Sequence, residues 1–198
     1  NDRRKPANDA NARERAAGAN PRAGNRWGHI VEMIAPGGAG VKADHAADKF
    51  RWEIFLLGGN PALADQGAKY GAGTSDKGWL AAPDNVAFDR RGRIWIGTDG
   101  MPSQAQPPAA DALYGADTTG PGRAVTRRFF AVPVGAELCG PAFTPDGKTL
   151  FVAVQHPAEG RDSTYDKPAT RWPDFQPGVP PRPAVVAITK DGGGEIGS

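Results

Sequence analysis

Pro83-Asp84-Asn85-Val86-Ala87-Phe88-Asp89-Arg90-Arg91-Gly92-Arg93-Ile94-Trp95-Ile96-Gly97 has a counterpart further along the chain, Glu137-Leu138-Cys139-Gly140-Pro141-Ala142-Phe143-Thr144-Pro145-Asp146-Gly147-Lys148-Thr149-Leu150-Phe151-Val152. Each stretch is an apolar run, a polar turn and a second apolar run. Phe88 matches Phe143 and Gly92 matches Gly147 at one offset of 55 positions (143 − 88 and 147 − 92). A fixed repeat of that length, with tight turns between strands, predicts β-propeller blades. Asp89-Arg90-Arg91-Gly92 suits a type I turn with glycine at positive φ, and Thr144-Pro145-Asp146-Gly147 is the same device with proline at the second position. A propeller gathers the starts of its inner strands around one channel. Asp84, Asn85 and Glu137, which stand at those starts, are therefore expected to face a common site.

Working outward, the rest of the chain supports an all-β reading. Twenty-seven glycines and nineteen prolines in 198 residues disfavour long helices and favour turn-rich structure. Twenty-four basic and 22 acidic residues are interspersed, with no basic stripe, which gives nucleic acid binding no electrostatic support. The lone Cys139 excludes an internal disulfide. No run approaches the roughly 18 apolar residues of a membrane span. No signal peptide is visible, but the chain begins at Asn1 rather than methionine, so a targeting segment upstream is compatible with it.

Residues 1–25 are polar and lack apolar periodicity, which predicts an extended or mobile segment. Residues 26–198 are expected to form part of a propeller domain. Gly28–Ile34 and Phe50–Leu57 read as paired strands around a polar loop, and Ala112–Asp117, Ala124–Val132 and Ala184–Thr189 as further strands. Met101–Asp111 and the six-proline stretch Glu159–Pro183 read as loops, the latter anchored by Trp172 and Phe175. Trp27, Trp52, Trp79, Trp95 and Trp172 are expected to pack between blades. The strands amount to about three blades, whereas propellers close with four to eight, so the chain should need a partner segment.

Several ordered stretches resemble the PhoX-type alkaline phosphatases. They are Gly28-His29-Ile30 after Asn20-Pro21-Arg22, Phe50 to Leu57, Pro83-Asp84-Asn85, Trp95 to Gly100, Gly135-Ala136-Glu137, the Phe143 to Gly147 turn, Val154-Gln155-His156-Pro157, and Arg182 to Val186 with Ile196-Gly197-Ser198. The resemblance implies a bacterial propeller enzyme exported through the twin-arginine route to the periplasm or beyond. It further implies hydrolysis of phosphomonoesters with Ca²⁺ and Fe³⁺. The chain would be the C-terminal portion, roughly the last three blades, inactive without the N-terminal propeller segment of the same protein. Pro157-Ala158-Glu159 departs slightly from the family's usual Pro-Gly-Glu.

Asp84 and Asn85 offer a carboxylate beside a carboxamide, hard oxygens that suit Ca²⁺; an Asx turn opening the strand is the structural alternative. Glu137 lies in an apolar context, where a carboxylate is costly unless paired or bound to a cation. With the resemblance, Asn85, Glu137 and Asp84 are the expected metal ligands, and metal-assisted phosphoryl transfer needs no side-chain nucleophile. Asp99 reads as a turn cap, Cys139 as a small buried hydrophobe and His156 as structural. Arg127, Arg128 and Arg171 are exposed charges by default, and His29 and His45 lack ligand spacing. A calcium-stabilised scaffold or binding module without catalysis is the alternative function, and a lactonase on a metal-centred propeller a third.

Overall fold

The computed structural model describes residues 18–38, 40–101 and 108–198. Most of the expected 1–25 segment and of the Met101–Asp111 loop lies outside the described residues. Among the described residues, nine strands form three antiparallel sheets: β1 (His29–Ile34) with β2 (Arg51–Leu57); β3 (Pro83–Phe88), β4 (Ile94–Thr98), β5 (Ala112–Ala116) and β6 (Arg127–Ala131) in chain order; and β7 (Glu137–Phe143), β8 (Thr149–Gln155) and β9 (Ala184–Thr189), also in order. The only helical elements with a defined span among the described residues are single 3₁₀ turns at Gly40–Lys42 and Ala64–Gln66. The molecule is all-β, and its meandering sheets are propeller blades.

The repeat is visible in the ladders. Phe88 pairs with Ile94 across the first turn, and Phe143 with Leu150 across the second. The second turn is one residue longer, so strands β4 and β8 correspond at 56 positions rather than 55. Gly92 and Gly147 have φ of 74° and 69°, the left-handed conformation the turns require. The Asp89 carboxylate caps its turn by accepting from Arg91 N (2.9 Å) and Arg93 N (3.1 Å), while Thr144 Oγ1 accepts from Thr149 N at 3.1 Å.

Strand β4 is buried along its whole length. Alternation explains how: Ile94 and Ile96 face a core shared with Leu56, Leu80 and Tyr114, whereas Trp95 faces a second core with Leu138, Leu150 and Val152. A central strand covered on both faces reads as a continuous apolar run for this reason. Trp79 and Trp95 are buried, and Trp27 and Trp172 pack at the margins of the two cores. Trp52 (45% exposed) and Phe175 (67% exposed) do not act as anchors. Trp52 lies near the start of β2, before the strand enters the core, and Phe175 lies in the proline-rich loop.

Strands β3 and β4 rest against β7. The approach is closest at Gly97, where an added Cβ would lie 2.7 Å from the Leu138 carbonyl oxygen and 3.0 Å from its Cδ2. Gly97→Ala is expected to destabilise the protein by about 1–3 kcal/mol by forcing this seam apart. Urea denaturation measures it, and an unchanged midpoint would mean the seam yields. At the turn end of the seam, Glu195 pairs with Arg91 (2.9 Å) and Arg90 (3.5 Å). Arg93 donates to the carbonyls of Ile196 (2.9 Å) and Gly197 (2.7 Å), and Ile196 N donates to Gly147 O (2.9 Å).

The described end of the polar segment is tied to the fold. Arg22 donates through Nη1 to the carbonyls of Gly58 (2.9 Å) and Gln66 (2.5 Å), and through Nη2 to that of Gly28 (2.8 Å). Asn25, 2% exposed, lies 2.7 Å from His29 Nδ1 through its Nδ2.

Candidate metal-binding site at the blade entrances

The beginnings of β3 and β7 meet. Asn85 Oδ1 accepts from Gly140 N at 2.7 Å, a bond between two residues that are repeat equivalents. The Asn85 Nδ2 donates to the neighbouring Asp84 carboxylate. Both inner strands shift register near their starts, at Pro83/Asn85 and at Cys139/Ala142. Such bulges re-aim side chains. Asp84 is exposed and Asn85 half-buried.

Glu137, 8% exposed, is held on both oxygens. Its Oε1 accepts from the Cys139 thiol (Sγ at 2.5 Å), and its Oε2 from Gln155 Nε2 (2.9 Å) and from His156 Nε2 (3.3 Å). Burial has therefore been offset by donors, which fix the plane of the carboxylate. The His156 ring also lies 2.7 Å from the Glu159 carboxylate and 3.2 Å from the Gly135 carbonyl through Nδ1. Burial pulls its pKa down, but the bonds to Glu137 and Gly135 and the charge of Glu159 outweigh this and leave it raised.

Cys139 is half-buried and polar in its contacts rather than a packed hydrophobe. Burial, its bond to Glu137, and the charges of Glu137, Asp84 and Asp99 push the thiol up to about 12. The thiol is thus held protonated as a donor to Glu137. The same electrostatics place Asp99 on the site side of the seam. Its N–H also donates to Ala82 O at 3.0 Å.

The sequence pattern missed two participants. Gln155 ends β8 where Asp99 follows β4, so aligning the second strands at 56 positions would have drawn it in. Asp111, 4% exposed, accepts from Thr98 Oγ1 (2.7 Å), Met101 N (2.9 Å) and Gly100 N (3.0 Å), pinning the segment that carries Asp99. Burial nevertheless leaves its pKa raised. No motif announces such a carboxylate.

Of the remaining candidates, Arg171 is spent on the carbonyls of Val179 (3.0 Å) and Asp166 (3.1 Å). His29 is bound within the segment that precedes β1, its Nε2 2.6 Å from Ala19 O. Among the described residues, no three His, Cys, Asp or Glu side chains come together as a metal cage. Asn85, Glu137 and Asp84 carry hard oxygens of the kind that suits Ca²⁺.

A profile of the family described as "Alkaline phosphatase PhoX" matches residues 6–158. The chain belongs to the PhoX alkaline phosphatase family. A solved structure described as "Pseudomonas fluorescens PhoX in complex with vanadate, a transition state analogue" is similar at 34% identity and a TM-score of 0.77 over 92% of this chain. The chain spans 30% of the length of that PhoX. No curated protein matches. Family membership agrees with the all-β blades and with the resemblance noted in the sequence. No helix among the described residues is long and apolar enough to cross a membrane.

Proposed function

We propose that this chain contributes one wall of the metal-dependent site of a phosphomonoesterase. The observation that carries the proposal is the buried Glu137 carboxylate at the start of β7, a strand that the Asn85–Gly140 bond ties to the start of β3, in a PhoX-family chain. Asn85, Glu137 and Asp84 would hold Ca²⁺, and Fe³⁺ would take its ligands from the remaining segments of the same protein. Bound cations would neutralise phosphate oxygens and favour attack at phosphorus. Gln155, His156 and Cys139 orient the Glu137 carboxylate, and Gly140 N orients the Asn85 carboxamide. Asp111 fixes the neighbouring Asp99 segment. By the same reading the protein acts in the periplasm or outside the cell after twin-arginine export, together with the remaining blades of its propeller.

Calcium affinity and p-nitrophenyl phosphate hydrolysis of the intact protein test this, with Glu137→Gln and Asn85→Ala alongside. Each substitution is expected to weaken calcium at least about tenfold and to lower hydrolysis with it. Unchanged calcium affinity in both variants would move the site elsewhere. A second reading is a calcium-stabilised scaffold without catalysis. It would take over if calcium binds, the variants lose it, and no phosphomonoester is hydrolysed.

A further inference from the structure

Strand β3 leaves two large apolar side chains in the open. Val86 and Phe88 are 51% and 60% exposed. They pair with Ile96 and Ile94 across the ladder and therefore share their face of the sheet. Ile94 and Ile96 are buried in the core that contains Leu56 and Leu80. One face of the sheet is thus covered over β4 and bare over β3.

The first sheet accounts for the difference. The chain passes from β6, at one edge of its sheet, to β7, which rests against β3 and β4 at the other side of that sheet. A sheet here begins at its inner strand and ends at its outer one. By that order β2, which precedes β3, is an outer strand like β6, and β1 is the counterpart of β5. The ion pairs agree: Arg123, between β5 and β6, binds Glu32 of β1 at 2.8 Å and also Glu53 of β2. At the end of β2, Leu57 exchanges two backbone bonds with Lys69 (2.9 and 3.0 Å), which takes up the outer edge there. Strand β1 pairs with β2 alone among the described residues, so its inner edge is open. Counterparts of β3 and β4 in the first sheet would start at that edge and lie across Val86 and Phe88.

We infer that two further strands of the same protein, outside this chain's span, complete the first sheet at the inner edge of β1 and lay an apolar face on Val86 and Phe88. Four strands make a propeller blade, and the first sheet has two among the described residues. The chain covers 30% of the length of the PhoX it resembles, which leaves ample sequence to supply them. An open strand edge beside bare apolar side chains is the setting for strand addition. Main-chain bonds fix the register, and alternate apolar side chains fill the face. The inference rests on the propeller architecture and not on the metal site, so loss of hydrolysis would not bear on it.

Photocross-linking in the intact protein tests it, with p-benzoylphenylalanine in place of Phe88. The expected product has monomer mass and joins position 88 to a peptide outside these 198 residues. A product of twice that mass, a cross-link within the 198 residues, or no cross-link would each overturn the proposal. Circular dichroism checks that the variant folds. Val86→Cys gives an independent reading should it not. Maleimide labelling of that thiol is expected to be at least tenfold slower in the native intact protein than in urea, and equal rates would overturn the proposal.

Discussion

Asp89→Ala is expected to lower the unfolding free energy by about 3–5 kcal/mol, on the order of 10 °C in melting temperature for a chain of this size. One carboxylate serves four donors: Arg93 Nε at 2.6 Å, Trp95 Nε1 at 2.9 Å, and the backbone N–H groups of Arg91 and Arg93. Its side chain is only 6% exposed and that of Arg93 20%, so removal strands a cation and an indole N–H at the edge of the core. Trp95 is itself the hub of an aromatic cluster, with Phe129 at 5.0 Å and Phe143 at 5.3 Å. Burial alone would raise the Asp89 pKa, but the hydrogen bonds from Trp95, Arg93 and Arg91 override it and leave it lowered. A lowered folded value means the stabilisation is complete above the unfolded value of about 3.9 and is lost as pH falls through the folded one. The gap between wild type and variant should thus be full at pH 7 and narrow in acid below about pH 4. Urea denaturation at both pH values measures it. A loss under about 1 kcal/mol at pH 7 would show that water replaces the carboxylate.

Arg22→Ala is expected to cost about 3 kcal/mol, the sum of losses at carbonyls left without a donor. The guanidinium bridges Gly58, Gln66 and Gly28, which belong to three different segments of the first sheet and the loop after it. Its planar fork also lies over the Trp27 ring, 5.4 Å from the centroid. Burial lowers the Arg22 pKa from its usual value, yet a guanidinium remains charged at any working pH. Hydrogen exchange should accelerate at Gly28, Gly58 and Gly59 before it changes in β7–β9. Arg22→Lys should recover little, because one ammonium cannot span the three carbonyls in this geometry. Uniform acceleration across all three sheets would contradict the local role.

The blades were legible because their determinants are local. The alternation of Val86 to Phe88, the turn glycines Gly92 and Gly147, and the run Ile94 to Gly97 each specify their own conformation before any distant contact forms. The placement of Asn85 and Glu137 near strand starts was legible for a related reason, since the repeat marks where those strands begin. Arg22 was not, because a polar stretch without periodicity carries no sign that one guanidinium will find three carbonyls up to 44 positions away. Cys139 looked like a small hydrophobe because its apolar neighbours do not show that the carboxylate two positions back, on the same face of the strand, becomes its acceptor. Asp111 was hidden among prolines and alanines, where only the fold brings Thr98, Gly100 and Met101 onto it. Local preference is thus readable, whereas satisfaction of a buried polar group is a property of the assembled chain.

The seam between the four-stranded and three-stranded sheets is fastened along its length. Asn85 meets Gly140 at the entrance, Gly97 lies against Leu138 in the middle, and Glu195 to Gly197 bind both hairpin turns at the far end. In kinematic terms this is a hinge pinned at both ends, which leaves neither rotation about the strand axis nor sliding along it. The two blades then move as one plate. The spacing between the starts of β3 and β7 becomes a fixed gauge, set by the fold itself.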